Sequence, residues 1–274
     1  MDSPIRVGAV NYLNTKPLIC DLEELAPEVE LVLDVPSRLA DLLAAGELDV
    51  GLIPVIEYFR AGCYSIVPDI AIATRGPVLS VTLFSRVPWT QIRRVALDDG
   101  SRTSAALTQV LLRKRHGVSA QVVPLPLESS AEDVDADAVL LIGDRAMRAC
   151  LPGFAHAFDL GQEWFDWTGL PFVYAVWAVR EGVELGRVAA VLTEAKRRGL
   201  SRAGAIAHRE APRLGLDAGF CRRYLSTILH FDLGPREQAG LHHYYMLACE
   251  LGLAPRGVGL RFFDPRELPA TSLS

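Results

Sequence analysis

The stretch Ile5-Arg6-Val7-Gly8-Ala9-Val10-Asn11-Tyr12-Leu13-Asn14-Thr15-Lys16-Pro17 decides how this chain is read. Its first half is a short apolar strand, which runs into a polar loop, and Pro17 is placed to open a helix. First-turn N–H groups of such a helix point back at the loop, a geometry that suits an anionic ligand. The following segments repeat the alternation. The pattern predicts a helix over 18–25, a strand over 30–35 ending at Pro36, a helix capped by Ser37 and stopped by Gly46, a strand over 48–54 and a helix over 55–60. Alternation of this kind implies a mostly parallel sheet covered on both faces, an α/β fold.

Two more strands, 66–72 and 78–84, flank Arg75-Gly76-Pro77. Past Pro88-Trp89 a second alternating unit begins, with a strand over 94–97, the polar loop Asp98 to Ser104, a helix over 105–115, and strands over 120–125 and 138–143. Beyond an apolar strand at 172–179 the pattern turns helical, with helices expected over 186–198, 201–209, 218–229 and 235–251. The expected organisation is two lobes. Residues 1–85 and 180–274 form the first, 86–179 form the second, and segments 79–85 and 172–179 are the crossovers beside a central cleft.

Half of the 274 residues are hydrophobic and 22% are charged, so packed cores are expected and disorder is not. The 28 basic and 33 acidic residues leave a net charge of -5 without a long basic run, which argues against a nucleic-acid surface. Membrane spans need about 18 consecutive apolar residues, and none occurs; Met1-Asp2-Ser3-Pro4 lacks the basic and apolar regions of a secretory signal, so a cytoplasmic location is expected. The 5 cysteines are scattered without a CxxC pair and read as reduced, buried thiols. None of the 6 histidines has metal-ligand spacing, and GxGxxG, Walker A and GxSxG motifs are missing, so neither a metal nor another cofactor is expected. Oligomeric state stays open; a homodimer is compatible with the sequence.

Loops 11–15 and 101–104 precede expected helix starts and are rich in hydroxyl and amide groups, and Pro36-Ser37-Arg38 adds a cap and a guanidinium. Backbone N–H groups beside Ser, Thr or Arg bind carboxylate or phosphate, and two such places on opposite lobes suit a ligand with two acidic groups. The binding candidates are therefore Asn11, Ser37, Arg38, Ser101, Arg102, Thr103 and Ser104, with Ser80 at the start of the first crossover; for Ser37 and Ser104 a purely capping role is the alternative. Asp144, in Ile142-Gly143-Asp144-Arg145-Ala146, stands at a strand end. It reads as a general base, as an orienter of a ligand hydroxyl, as a helix cap, or as the partner of Arg145 or Arg102. The run Trp164-Phe165-Asp166-Trp167-Thr168-Gly169-Leu170-Pro171-Phe172 reads as an aromatic-rich loop, with Trp164 and Phe172 as a wall for a ring and an interlobe plug as the alternative.

Segments 6–18, 35–40, 46–54, 101–104 and 142–146 together resemble the MqnA family, which dehydrates chorismate in the futalosine route to menaquinone, and Glu163-Trp164 to Phe172 extends the likeness. The resemblance implies a two-lobed fold like type 2 periplasmic binding proteins and conversion of chorismate to 3-[(1-carboxyvinyl)oxy]benzoate and water. The substrate is a dicarboxylate on a cyclohexadiene ring, in keeping with the anion loops. The family pattern points to Asn14 as the polar group nearest the chemistry. Asparagine is not a base, so the proton acceptor is Asp144, water or the substrate's own side-chain carboxylate, the last favoured by intramolecular placement. Two alternatives stand beside this: a sister enzyme releasing 1,4-dihydroxy-6-naphthoate, in which a histidine base is expected where Asp144 stands, and a non-catalytic binding protein for small carboxylates.

Overall fold

The computed structural model describes residues 4–126 and 129–264, which leaves Met1-Asp2-Ser3 and the last residues of the expected first lobe outside the description. In chain order the strands are β1 (Ile5–Val10), β2 (Val29–Asp34), β3 (Val50–Pro54), β4 (Ser65–Thr74), β5 (Val81–Ser85), β6 (Arg94–Asp98), β7 (Gln121–Leu125), β8 (Ala138–Ile142), β9 (His156–Asp159), β10 (Phe172–Val179) and β11 (Leu229–His230). They form a six-stranded sheet, β11-β4-β10-β3-β1-β2, and a five-stranded sheet, β7-β6-β8-β5-β9. β1 runs parallel to β2 and β3, and β6 parallel to β7 and β8, as the alternation predicted, but β10 pairs antiparallel with β3 and β4, β11 with β4, and β5 with β8 and β9, so neither sheet is mostly parallel. Every residue of β3, β8 and β10 is buried, which explains why these runs are apolar throughout instead of alternating.

The sheets correct the expected division at 85/86 and 179/180. β5 pairs with β8 and β9, so it belongs to the second sheet, while β10 pairs with β3 and β4 and belongs to the first. The chain changes sheets earlier in both directions. On the way out it bends at Leu79, whose φ of 62° lies in the left-handed region that a leucine adopts only when its surroundings force it. That force is visible: Asp159 accepts hydrogen bonds from the N–H groups of Val78 (2.9 Å) and Leu79 (2.7 Å). On the way back, Gly169 ends a helix at φ 67° just before β10.

Several local expectations change as well. Pro17 does not open a helix but sits inside a 3-10 helix, Leu13–Ile19, followed by the short helix Leu22–Leu25. Val35, not Ser37, is the cap of helix Pro36–Ala44, because Pro36 takes the first helical position that its fixed φ favours. The expected aromatic loop is helix Leu160–Thr168, capped by Asp159, whose carboxylate accepts from Gln162 N–H at 3.0 Å. Ser101 caps helix Arg102–Val110, which starts ahead of the expected residue 105 and runs into a π-helical turn, Leu111–Arg115. The C-terminal helices are Val188–Ser201, Ala203–Leu214, Ala218–Arg223 with the π-helical turn Tyr224–Ile228, and Pro235–Glu250. Among the described residues no helix is long and apolar enough to cross a membrane.

One apolar core runs from the first sheet into the second. Trp164 and Phe172 lie in it, 0% and 1% exposed, with their rings edge to face at 5.3 Å and both packed on Tyr244. Trp164 spends its indole N–H on the carbonyl of Pro171 at 3.2 Å. These two aromatics are the plug, not the wall.

Candidate functional site

The parallel strands end at one place. Val10 closes β1, Pro54 closes β3 and Ile142 closes β8, and all three line a cleft of about 520 Å³, its mouth included. Ligands of open α/β sheets sit beyond strand carboxyl ends of this kind. Helices Pro36–Ala44, Val55–Ala61, Arg102–Val110 and Gly143–Arg148 all start from residues at this cleft. Their N-terminal dipole ends make the space favourable to negative charge.

The polar side chains lining it are neutral. Asn14, Ser80, Ser101 and Ser104 reach the cleft, together with the rings of Tyr12 and Tyr174. Ser101 Oγ donates to Ser104 Oγ at 2.8 Å, and Asn14 Oδ1 accepts from Thr15 Oγ at 3.2 Å. Ser80 Oγ accepts from the hydroxyl of Tyr224 at 2.8 Å. Tyr12 lies across Gly143: a Cβ added there would stand 2.9 Å from Tyr12 Cε2, and its φ of 60° independently calls for glycine. Burial, with the charges of Asp98 and Asp144 behind it, pushes the Tyr12 phenol up to about 12. The Tyr174 hydroxyl is buried beside the Thr74 hydroxyl, without a well-aligned hydrogen bond between them. Among the described residues no carboxylate, histidine, lysine or arginine lines the cleft, and no group of three or more His, Cys, Asp and Glu side chains could hold a metal ion.

Of the residues singled out from sequence, the structure brings Asn14, Ser80, Ser101 and Ser104 together. The rest stand back from the lining. Asn11 is exposed and accepts from Lys16 Nζ at 2.8 Å. Ser37 donates its N–H to the carbonyl of Gly100 at 3.2 Å, tying two loops together, and Arg38 is exposed. Arg102 pairs with Asp41 at 2.9 Å and Glu57 at 3.4 Å. Thr103 Oγ accepts from Ile56 N–H at 3.2 Å. Trp164 and Phe172 are core, and the rings facing the cleft belong to Tyr12 and Tyr174.

Asp144 is buried behind the first loop, where Oδ1 accepts from Leu13 N–H at 3.4 Å, and burial holds its carboxyl above the usual range. Ile142, not Asp144, caps the following helix, and Arg145 faces Asp98 instead, at 3.5 Å. Asp98 is 2% exposed, raised by burial, and accepts from Gly100 N–H at 2.8 Å. Sequence reading missed Tyr12, Tyr174, Tyr224 and Asp98. Tyr12 lies inside the opening stretch, and Tyr174 shares a strand face with Phe172, so both carried a signal; Tyr224 carried none.

A family model described as menaquinone biosynthesis matches residues 5–250. A chorismate dehydratase of Thermus thermophilus is 35% identical over 241 residues, spanning 81% of this chain and 87% of that protein. A second chorismate dehydratase, from Campylobacter jejuni, is 24% identical over 253 residues, 90% of this chain and 99% of that protein. Among solved structures, a protein from Archaeoglobus fulgidus superposes with a TM-score of 0.74 at 19% identity, covering 92% of this chain and 99% of its own. The periplasmic aliphatic sulphonate binding protein SsuA of Escherichia coli gives 0.64 at 16% identity, covering 100% and 96%. These two likenesses bear on the fold, a two-lobed binding-protein architecture.

Proposed function

Because the chain belongs to the menaquinone-biosynthesis family, we propose that it is a chorismate dehydratase, a carbon-oxygen lyase that converts chorismate to 3-[(1-carboxyvinyl)oxy]benzoate and water. The observation that carries the reading is the neutrality of the cleft. Helix starts and the Ser101–Ser104 pair provide dipoles for two carboxylates, while among the described residues no lining side chain is able to take a proton near neutral pH. Tyr12 is pushed the wrong way for a base, up to about 12. A reaction that brings its own base fits such a surface.

In the proposed elimination the substrate's enolpyruvyl carboxylate takes the hydrogen from the ring carbon that bears the ether. The hydroxyl on the neighbouring carbon leaves, and the ring becomes aromatic. Holding the carboxylate against that hydrogen supplies a large effective concentration, and the gain of aromaticity drives the second bond to break. In this reading Asn14 and Ser80, which line the cleft, hold the reacting end, and Ser101 and Ser104, which also line it, hold a carboxylate. Asp144, one layer back and bonded to Leu13 N–H, fits a supporting role better than that of base. That no histidine among the described residues lines the cleft also separates this reading from that of the naphthoate-releasing sister enzyme. Incubating the purified protein with chorismate and following the aromatic enol ether by absorbance and mass spectrometry tests the proposal. Product is expected; tight chorismate binding without product would leave a binding protein in its place.

A further inference from the structure

Ser80 and Asn14 reach the cleft from distant segments, and a buried hydroxyl stands behind Ser80. Tyr224 is 1% exposed, and its O–H donates to Ser80 Oγ at 2.8 Å. Asn14 also lines the cleft, where its Oδ1 accepts from Thr15 Oγ at 3.2 Å. A tyrosine hydroxyl has one hydrogen to give. With that hydrogen on Ser80 Oγ, the serine's own hydrogen is left for whatever occupies the cleft that Ser80 lines. Ser80 thus becomes a donor toward the ligand.

The backbone is arranged for this at both ends. Tyr224 opens the π-helical turn that extends helix Ala218–Arg223, and such one-residue widenings gather at functional sites. Ser80 follows Leu79, held at φ 62° by the grip of Asp159 on its N–H. Strain of this kind persists only where the surroundings over-determine it. Burial keeps the Tyr224 phenol well above its ordinary pKa, so it stays a donor at any working pH.

We propose that Tyr224 is a positioning residue, whose hydroxyl sets Ser80 as the hydrogen-bond donor to the oxygen that leaves the substrate. The proposal rests on the elimination described above. There the ring C–H breaks toward the substrate carboxylate, a ring C=C forms, and the C–O electron pair departs with the oxygen. The proton first taken by the carboxylate completes the water. Ser80 stabilises the departing oxygen by donating a hydrogen bond and ends in its starting state, so neither it nor Tyr224 gains or loses a proton overall.

The test is a double-mutant cycle on the full chain with chorismate, reading kcat, KM and Tm for wild type, Tyr224→Phe, Ser80→Ala and the double variant. Tyr224→Phe is expected to lower kcat about tenfold, the scale of a hydrogen bond to a charged group, with KM within about threefold and Tm not lowered. In the Ser80→Ala background the same change is expected to lower kcat less than about twofold, because the effect runs through Ser80. Unchanged kcat in Tyr224→Phe, or an equal loss in both backgrounds, overturns the role while the function stands. Wild type without turnover overturns the function and the role with it. Should Tyr224→Phe fold poorly, fluorotyrosine at position 224 keeps the shape and grades the donor strength. Turnover that tracks the phenol acidity supports the role, and a flat response overturns it.

Discussion

Along the cleft, Asn14, Ser80, Ser101 and Ser104 offer uncharged donors and acceptors, whereas Asp98, Asp144 and Asp159 stand immediately behind them, out of the lining. Three of the four front residues have a partner directly behind them. Asp98 accepts from Gly100 N–H, just before Ser101; Asp144 accepts from Leu13 N–H, just before Asn14; Asp159 accepts from Leu79 N–H, just before Ser80. Burial raises all three carboxyls. The difference separates two tasks: charge fixes the backbone, and the surface so fixed meets a dianionic substrate without repelling it. A carboxylate moved forward by one layer would oppose the ligand's own charge in a site of low dielectric.

The comparison breaks most readily at its front layer. Asn14→Ala should lower kcat by about a hundredfold, the size of effect seen when one preorganised donor is lost, with Tm unchanged; an unaltered rate would take Asn14 out of the site. Asp159→Ala comes next. It strands the N–H groups of Val78, Leu79 and Gln162, so a loss of roughly 2–3 kcal/mol in urea-derived stability is expected along with slower turnover through Ser80. Loss of activity without loss of stability would move Asp159 to the front layer. Asp144→Asn keeps an acceptor for Leu13 and should change kcat by less than about tenfold. A drop of several orders of magnitude would make Asp144 the base and dissolve the distinction.

The same variant sharpens the sign of the electrostatics. A carboxyl whose folded pKa is raised contributes stability below its unfolded pKa and loses it as pH rises through the folded value. Wild type should therefore compare best with Asp144→Asn in acid and worst near neutrality, as measured by denaturant midpoints across that range. The smallest expected effect is on the pH profile of kcat, which should be flat from about pH 6 to 9 because among the described residues no carboxylate, histidine, lysine or arginine lines the cleft. Tyr12, pushed up to about 12, leaves the phenol neutral throughout.

Much of this was legible in the chain. β3, β8 and β10 declare themselves as apolar runs because both of their faces are buried; the polar loops after β1 and β6 gave the stretch 11–15, Ser101 and Ser104, and the family resemblance singled out Asn14. The sheet to which a crossover belongs was not legible: Val81–Ser85 alternates buried and half-buried positions, a pattern that fits either sheet, and the choice is made by Asp159 far along the sequence. An aromatic run reads alike as wall or plug. The better signal at Trp164 was its bracketing by Asp159 and Gly169, a cap and a stop that mark a helix and turn the ring inward. Tyr224 depends on the extra residue of a π-helical turn, which no periodicity of the sequence announces.

The position of β10 inside the first sheet, between β3 and β4, has a consequence for the order in which the protein is made. The last strand of the second sheet ends at Asp159, so that sheet can close while the first still lacks a strand from its interior, Phe172–Val179. A chain leaving the ribosome from its N-terminus thus finishes its inserted half before the half it began with. Tyr224 emerges later still, and until it arrives Ser80 has no partner to set its hydroxyl. A nascent chain cut short before that residue would hold the second sheet, a first sheet still short of its edge strand β11, and an unarmed cleft.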